Sequence, residues 1–154
     1  MDVKKTTTYL NEIGLPYLVC ESTGIEVSDN QICCQEDVYR ICTSMRITEL
    51  ASEVVYMVSL NGNGNIISIS EISHGTISNS LLPTREIAQT ALLSGAVSVI
   101  LVHNHPGGSV TPSTHDIEAT KKLAEALKVL QIVFNDHVIV TRTAYLSMKQ
   151  EGYF

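Results

Sequence analysis

A buried strand that ends in two histidines constrains this chain more than any other feature of its sequence. Residues 97–102 form a mostly apolar run of strand length. His103 and His105 follow at once, and positions two apart on a strand point to the same face. Proline and two glycines at residues 106–108 end the strand and favour a turn. Ser113 then begins a helical pattern, so the segment predicts a strand, a turn and a helix.

The same segment carries the donor set of a catalytic zinc site. Such sites use three protein ligands and keep a fourth position for water. The predicted helix opens with Ser113-x-x-Asp116, which returns the Asp116 carboxylate toward His103 and His105. An ordinary capping box would also explain Ser113 and Asp116 when they are taken alone. Two imidazoles and a carboxylate converging in one short segment favour Zn²⁺ bound by His103, His105 and Asp116.

The motif and its surroundings resemble a known family. His103-x-His105, seven residues and then Ser113-x-x-Asp116 is similar to the JAMM signature of JAB/MPN-domain metalloproteins. The resemblance covers residues 36–154 and is greatest to the bacterial RadC-type branch of the family. The sequence departs from that branch at Gly107, where the branch more often has Ser. Full-length RadC proteins also carry a helix-hairpin-helix region before this domain, and no segment here resembles one. The short motifs that point to this RadC-type branch are His103-Asn104-His105-Pro106, Gly75-Thr76, Arg85-Glu86-Ile87 and Asp136-His137.

The resemblance implies a fold and an activity. The expected fold is α/β, of the cytidine-deaminase-like or JAB/MPN type, with a mixed, curved β-sheet flanked by helices. Residues 36–154 would form this RadC-like domain, and residues 1–35 would be an N-terminal extension packed on or beside the core. The implied activity is that of a JAMM-type metallopeptidase, a zinc-dependent hydrolase that cleaves peptide or isopeptide-like amide bonds.

Hydrolysis at such a site also needs a group that carries protons. Three upstream glutamates are candidates, and a solvated surface position is the alternative for each of them. The resemblance favours Glu53, just before a predicted strand, as general base toward water and general acid toward the leaving amine. By alternation Glu71 lies on the outer side of the next strand, and Glu86 lies in the first turn of a helix. The family also implies that Ser113 hydrogen-bonds the developing oxyanion.

The remaining periodicities predict alternating helices and strands. A turn signal at residues 61–65 joins two of the strands as a hairpin. The apolar strand around His137 suggests a hydrogen-bonded, structural histidine. The predicted helices cover 36–45, 83–95, 113–130 and 145–152, and the predicted strands cover 16–20, 24–27, 54–60, 66–72, 131–134 and 137–140, with 16–27 suggesting a hairpin.

Composition indicates a single globular domain without targeting or membrane signals. The chain has 154 residues, of which 44% are hydrophobic. No apolar run approaches the ~18 residues of a membrane span, and no signal-peptide core follows the start, so a cytoplasmic location is expected. The four cysteines form no Cys-x-x-Cys pair. They are expected to be reduced, buried small hydrophobes.

The net charge of the chain limits which kinds of molecule are expected to bind to it. A net charge of −6 argues against nucleic acid as the main partner, because a basic patch is the usual footprint of such binding. The resemblance nevertheless leaves an alternative function, that of a DNA-repair or mobile-element accessory protein. A metal-free scaffold is disfavoured because every ligand position is filled. The partner that the main hypothesis implies is a peptide or protein substrate.

Overall fold

A computed structural model describes residues 2–27, 30–75 and 82–154, so Thr76 of the upstream motif lies outside the described residues. Within them, seven strands form one mixed sheet in the order β2-β1-β4-β3-β5-β6-β7. The expected α/β class, with a mixed sheet flanked by helices, is confirmed. The elements are β1 Asp2–Leu10, β2 Pro16–Glu26, α1 Gln35–Ser44, β3 Val54–Leu60, β4 Ile66–His74, α2 Thr84–Leu93, β5 Ser98–Asn104, α3 Thr114–Val129, β6 Val133–Val140 and β7 Tyr145–Ser147, with a short 3-10 turn at Ile47–Glu49.

The two central strands are covered on both faces. Every residue of β3 and β5 is buried, as their nearly continuous apolar sequences require. On one face, Val54, Tyr56 and Val58 pack against α1, and on the other Val55 and Met57 pack against α2 and α3. The result is a three-layer arrangement of helix, sheet and helices.

Most of the predicted elements from α1 to α3 are confirmed with small shifts at their ends. β3 has the predicted bounds, and it pairs antiparallel with β4 as the predicted hairpin. The turn between them is closed by Asn61, whose side chain accepts hydrogen bonds from the amides of Asn63 and Asn65. In α2 the side chains of Ile87 and Ala91 are buried, whereas that of Leu92 is 58% exposed.

The N-terminal strands differ from the prediction. Residues 16–20 and 24–27 do not form a hairpin with each other, because they belong largely to one strand, β2. β2 pairs antiparallel with β1, and β1 pairs in parallel with β4 through Lys5 and Thr6. The polar residues 21–23 continue this strand, because an edge strand with a solvent-facing side tolerates polar residues. β1 was not among the predicted strands because its sequence is polar, although its threonines favour extended structure.

The C-terminal elements were also predicted wrongly. The two strands expected at 131–134 and 137–140 are one strand, β6, which includes the polar pair Asn135 and Asp136. Both side chains have partners within the sheet, as Asn135 donates to Ser98 Oγ at 2.9 Å and Asp136 accepts from Ser147 Oγ at 2.5 Å. The expected helix at 145–152 is instead β7 followed by a turn. The Asp136 carboxylate holds this segment, because it also accepts from the Lys149 amide at 3.2 Å.

The cysteines only partly follow the expectation. All four are free thiols, but Cys42 alone is buried, whereas Cys20, Cys33 and Cys34 are exposed. Cys20 lies on the edge strand β2, and Cys34 caps the N-terminus of α1. Among the described residues, no helix has the length and apolar character needed to cross a membrane.

Candidate metal centre

Strand β5 and the first turn of α3 bring the three predicted ligands together. His103 continues the alternation of β5 and faces α3, on the same side as Val55, its partner on β3. His105 lies just beyond the strand, but its amide still donates to Val140 O of β6 at 2.9 Å. The extended backbone therefore keeps both imidazoles on one face. Asp116, in the first turn of α3, is the third member of the group.

The ligand atoms of these residues fit a single small metal ion. The Nε2 atoms of His103 and His105 are 2.8 Å apart, and Asp116 carboxylate oxygens lie 3.8 Å and 3.9 Å from them, respectively. All three ligand atoms lie within 4.8 Å of one another. Tetrahedral zinc with bonds of about 2.0–2.1 Å needs ligands about 3.3 Å apart, which the observed distances bracket.

The tautomer of His103 follows from a chain of hydrogen bonds behind it. The Thr120 hydroxyl donates to the Asp116 carbonyl at 2.6 Å, so it must accept from His137 Nδ1, also at 2.6 Å. His137 Nε2 is then left as an acceptor, and it receives the Nδ1 proton of His103 at 2.8 Å. His103 Nε2 consequently keeps its lone pair for a metal. Such support of a ligating histidine orients the ring and raises its basicity.

His105 is oriented by its own loop. Its Nδ1 donates to the Ser109 carbonyl at 2.7 Å, which leaves Nε2 directed at the cluster. The loop returns through a turn in which the Gly108 amide donates to His105 O at 3.0 Å. Gly108 has a φ of +83°, a conformation that costs glycine little and other residues more.

Burial keeps the central imidazoles neutral. It lowers the pKa of His103 to about 4; the Asp116 carboxylate opposes this effect and His105 adds to it. Burial and the nearby imidazoles also hold the pKa of His137 well below its usual value. Neutral imidazole is the form that binds a metal, so no proton has to be displaced from His103 at neutral pH.

Ser113 and Asp116 form the capping box that the sequence left open as an alternative. Asp116 Oδ2 accepts from the Ser113 amide at 2.8 Å and from Ser113 Oγ at 2.6 Å, and the Asp116 amide donates to Ser113 Oγ at 3.1 Å. The two interpretations coexist, because the capping contacts also hold the Asp116 carboxylate beside the imidazoles. Its other oxygen, Oδ1, is the one nearer His103.

Glu53 lies just before β3, in a backbone held by Asn104. The register pairs Val55 with His103, and Glu53 lies two residues before Val55, with its carbonyl accepting from the Gly75 amide at 2.8 Å. Asn104, which points to the α1 face, accepts from the Val54 amide at 2.8 Å and donates to Ser52 O at 3.0 Å. One buried amide side chain thus binds the backbone on both sides of Glu53.

The other two glutamates are not part of the group of possible metal ligands. Glu71 is paired across the sheet with Tyr56, on the α1 face, and accepts hydrogen bonds from the Tyr56 hydroxyl and the Lys5 ammonium group. Glu86 is exposed in the first turn of α2. Glu53, by contrast, directly precedes β3, the strand that pairs with β5 and its His103.

Sequence reasoning missed the role of two residues, His137 and Thr120. His137 was expected to be a hydrogen-bonded structural histidine, and its partner proves to be a predicted ligand. A usable signal was present, because a histidine in an apolar strand near a His-x-His strand can serve the second ring nitrogen of a ligand. Thr120, four residues after Asp116 on α3, gave no such signal.

Comparison with known proteins agrees with this geometry. The sequence model of one protein family, the RadC-like JAB domain, matches residues 20–153 of this chain. The chain is 43% identical over 105 residues to a UPF0758 protein of Caldanaerobacter subterraneus subsp. tengcongensis, covering 68% of this chain and 45% of that protein. It is 37% identical over 131 residues to a UPF0758 protein of Methanosarcina acetivorans, covering 85% of this chain and 57% of the relative.

A third relative, the UPF0758 protein of Methanococcoides burtonii, is 41% identical over 117 residues, which cover 76% of this chain and 51% of the relative. The chain thus spans about half the length of the curated relatives it matches. The family match extends over all three predicted ligands and over His137 and Thr120, which support them. From the strand–turn–helix site and from these matches together, this chain belongs to the family of RadC-like JAB domains.

Proposed function

We propose that this domain is a zinc-dependent hydrolase that cleaves peptide or isopeptide-like amide bonds. The observation that carries the proposal is the cluster of His103, His105 and Asp116, in which both imidazoles keep Nε2 free for a metal. Three protein ligands of this type are typical of catalytic zinc, which keeps a further position open. Cysteine takes no part in the cluster, so the donor set differs from that of most structural zinc sites.

Each residue then has a distinct task. When bound, Zn²⁺ supplies a Lewis acid that polarises a carbonyl and lowers the pKa of water to about 7. His103 and His105 present neutral nitrogen donors, and Asp116 adds a negative charge. Glu53 takes a proton from water at its carboxylate and returns it to the leaving amine. The Ser113 hydroxyl turns from Asp116 Oδ2 toward the developing oxyanion and donates to it.

The position of Glu53 supports its role in this scheme. Glu53 lies two residues before Val55, which is paired with His103, so strand alternation would direct the Glu53 side chain to the face that carries the predicted ligands. The hydrogen bonds of Asn104 to the backbone of Ser52 and Val54 fix the backbone of Glu53, from which the carboxylate extends. A general base must be held within reach of the proton it removes.

The test separates metal binding from chemistry. Purified protein reconstituted with zinc and desalted is assayed for bound metal by elemental analysis, and for amide cleavage by mass spectrometry on a diverse peptide pool. We expect about one zinc per chain in the wild type and in Glu53→Gln, and little in His103→Ala. Cleavage should fall by 100-fold or more in Glu53→Gln, on the order of the contribution of general acid–base catalysis.

Glu12→Gln is the matched control, since it removes an exposed carboxylate in the turn between the edge strand β2 and its neighbour β1. It should bind zinc and cleave as the wild type does. A wild-type protein that retains no zinc after reconstitution would overturn the proposal. Cleavage that survives Glu53→Gln at the wild-type rate would remove Glu53 from the mechanism while leaving the metal site in place.

A further inference from the structure

A cavity of about 450 Å³ opens directly beside the ligand His105. Its walls are residues 48–51, the turn that contains Pro106 and Gly108, and residues 141–143 of the turn between β6 and β7. Its volume is within the range of pockets that bind small ligands or a few residues of a peptide. A peptide whose amide reaches the metal cluster would therefore find space for a neighbouring residue here.

The wall that carries Arg142 is held firmly in relation to His105. Thr141 closes the β6–β7 turn, as its amide donates to Ala144 O at 2.9 Å and its Oγ1 accepts from the Ala144 amide at 3.1 Å. The Tyr39 hydroxyl donates to Arg142 O at 3.1 Å, and Val140 O accepts from the His105 amide at 2.9 Å. The Arg142 backbone is thus fixed from both sides, next to the strand that supports a metal ligand.

The charges on this wall are not balanced. Besides His105, the residues that line the cavity include two ionisable groups, Glu49 and Arg142. Glu49 is already paired, because Arg46 donates to its Oε2 at 3.0 Å and 2.8 Å. Among the residues that the structure describes, no carboxylate lies within ion-pair distance of the exposed Arg142 guanidinium. A chain with a net charge of −6 therefore presents an uncompensated cation at the mouth of this cavity.

We propose that this cavity binds the residue next to the bond that is cleaved, and that Arg142 selects substrates with a carboxylate on that residue. The inference rests on the proposed hydrolase function and assigns its substrate class, an acidic peptide. A guanidinium presents a planar fork of donors that matches a carboxylate in two parallel hydrogen bonds. The apolar and backbone surface of residues 48–51 would pack against the stem of the bound side chain.

The test measures equilibrium binding, so it needs no turnover. Three probes are titrated into the zinc-loaded protein at low ionic strength and followed by NMR chemical shifts: acetyl-Ala-Glu-Ala-amide, acetyl-Ala-Gln-Ala-amide and acetyl-Ala-Gln-Ala with a free carboxyl terminus. We expect a carboxylate-bearing probe to bind about three- to fivefold more tightly than the neutral one, the range of an exposed ion pair. Which probe gains affinity shows whether the carboxylate is a side chain or a chain terminus.

Arg142→Gln should abolish this preference, and Lys122→Gln should keep it. Lys122 is the matched control, since it is an exposed cation on α3 that does not line the cavity. Equal affinities for all three probes in the wild type, or a preference that persists in Arg142→Gln, would overturn the assignment. Failure of the hydrolase proposal is seen separately, as missing zinc or missing cleavage, so the two outcomes are distinguishable.

Discussion

The contact between two histidines is the decisive interaction at the scale of single residues. His103 donates to His137, which donates to Thr120, which in turn donates to the backbone of Asp116. This series of hydrogen bonds begins at one predicted metal ligand, His103, and ends at the backbone of another, Asp116. Each proton has one consistent position in it, and as a result the His103 ring is oriented before any metal binds.

Replacing His137 by alanine is expected to weaken zinc binding by about 10- to 100-fold, the usual effect of losing the group that supports a ligand. The His103 Nδ1 proton would lose its acceptor, and the ring could rotate away. Competition with a chromophoric chelator measures the affinity. His137→Gln, which retains an acceptor atom, should lose less.

His74→Ala serves as the control for this comparison, because His74 is exposed and contacts Glu71 on β4 rather than the cluster. It should bind zinc as the wild type does. Wild-type affinity in His137→Ala would show that His137 does not support the ligand.

The lowered pKa of His103 predicts a pH dependence of stability in the metal-free protein. Its folded pKa of about 4 lies below the ordinary value of 6.5, so the unfolded chain binds more protons between these values. Stability is therefore complete above about pH 6.5 and falls as the pH decreases toward 4. Urea unfolding of the apoprotein across this window measures the effect.

His103→Gln lacks the titrating group and should show a shallower decrease over the same window. His137 contributes in the same direction in both proteins, since its pKa is also lowered by burial. Parallel stability curves for the two proteins would contradict the prediction.

At the scale of elements, the end of β5 has two functions on its two faces. His103 faces α3 and the metal cluster, whereas Asn104 faces α1 and binds the backbone that leads into β3. The Asn104 side chain also donates to Leu50 O at 3.3 Å. One strand end therefore positions two ligands and the segment that contains Glu53.

Asn104→Ala should lower the free energy of unfolding by about 1–3 kcal/mol, because the buried Val54 amide and two carbonyls would lose their partner. Urea denaturation of the apoprotein gives the value. Asn63→Ala changes an exposed turn residue and should stay within about 0.5 kcal/mol of the wild type. A similar small effect for Asn104→Ala would mean that water replaces its contacts.

The elements also show where sequence patterns succeed. β3 was predicted with its correct bounds, and α1, α2 and α3 within about two residues, because strong apolar periodicity and turn signals mark them. β1 was missed, and β6 was divided at Asn135 and Asp136. Polar residues of both strands have partners in distant segments, which no local window contains: Thr6 contacts Ser68 and Ser70, and Asn135 contacts Ser98.

At the scale of the whole molecule, the metal would join two layers of the fold. Its ligands come from the end of β5, in the central sheet, and from α3, which covers that sheet. A bound ion would therefore resist separation of the helix from the sheet. Metal binding and folding stability are thermodynamically linked in such an arrangement.

Zinc at about 1,000 times its dissociation constant should stabilise the folded protein by about 4 kcal/mol. For a domain of this size, the expected rise in Tm is on the order of 10 °C. Thermal unfolding with and without zinc measures the shift, and removal of zinc by a chelator should reverse it. His105→Ala should show little or no shift, and an equal shift in that variant would place the zinc elsewhere.

The sequence alone determined which residues form the candidate metal cluster and the strand–turn–helix that presents them. This was possible because His103, His105 and Asp116 lie within one short segment, where strand alternation and helix capping are local rules. The tertiary structure decided what surrounds them. His137 is hydrogen-bonded to His103, Asn104 is hydrogen-bonded to the backbone on both sides of Glu53, and Arg142 lines the same cavity as His105. Those contacts depend on strand order and register, which are set by packing between segments far apart in the chain.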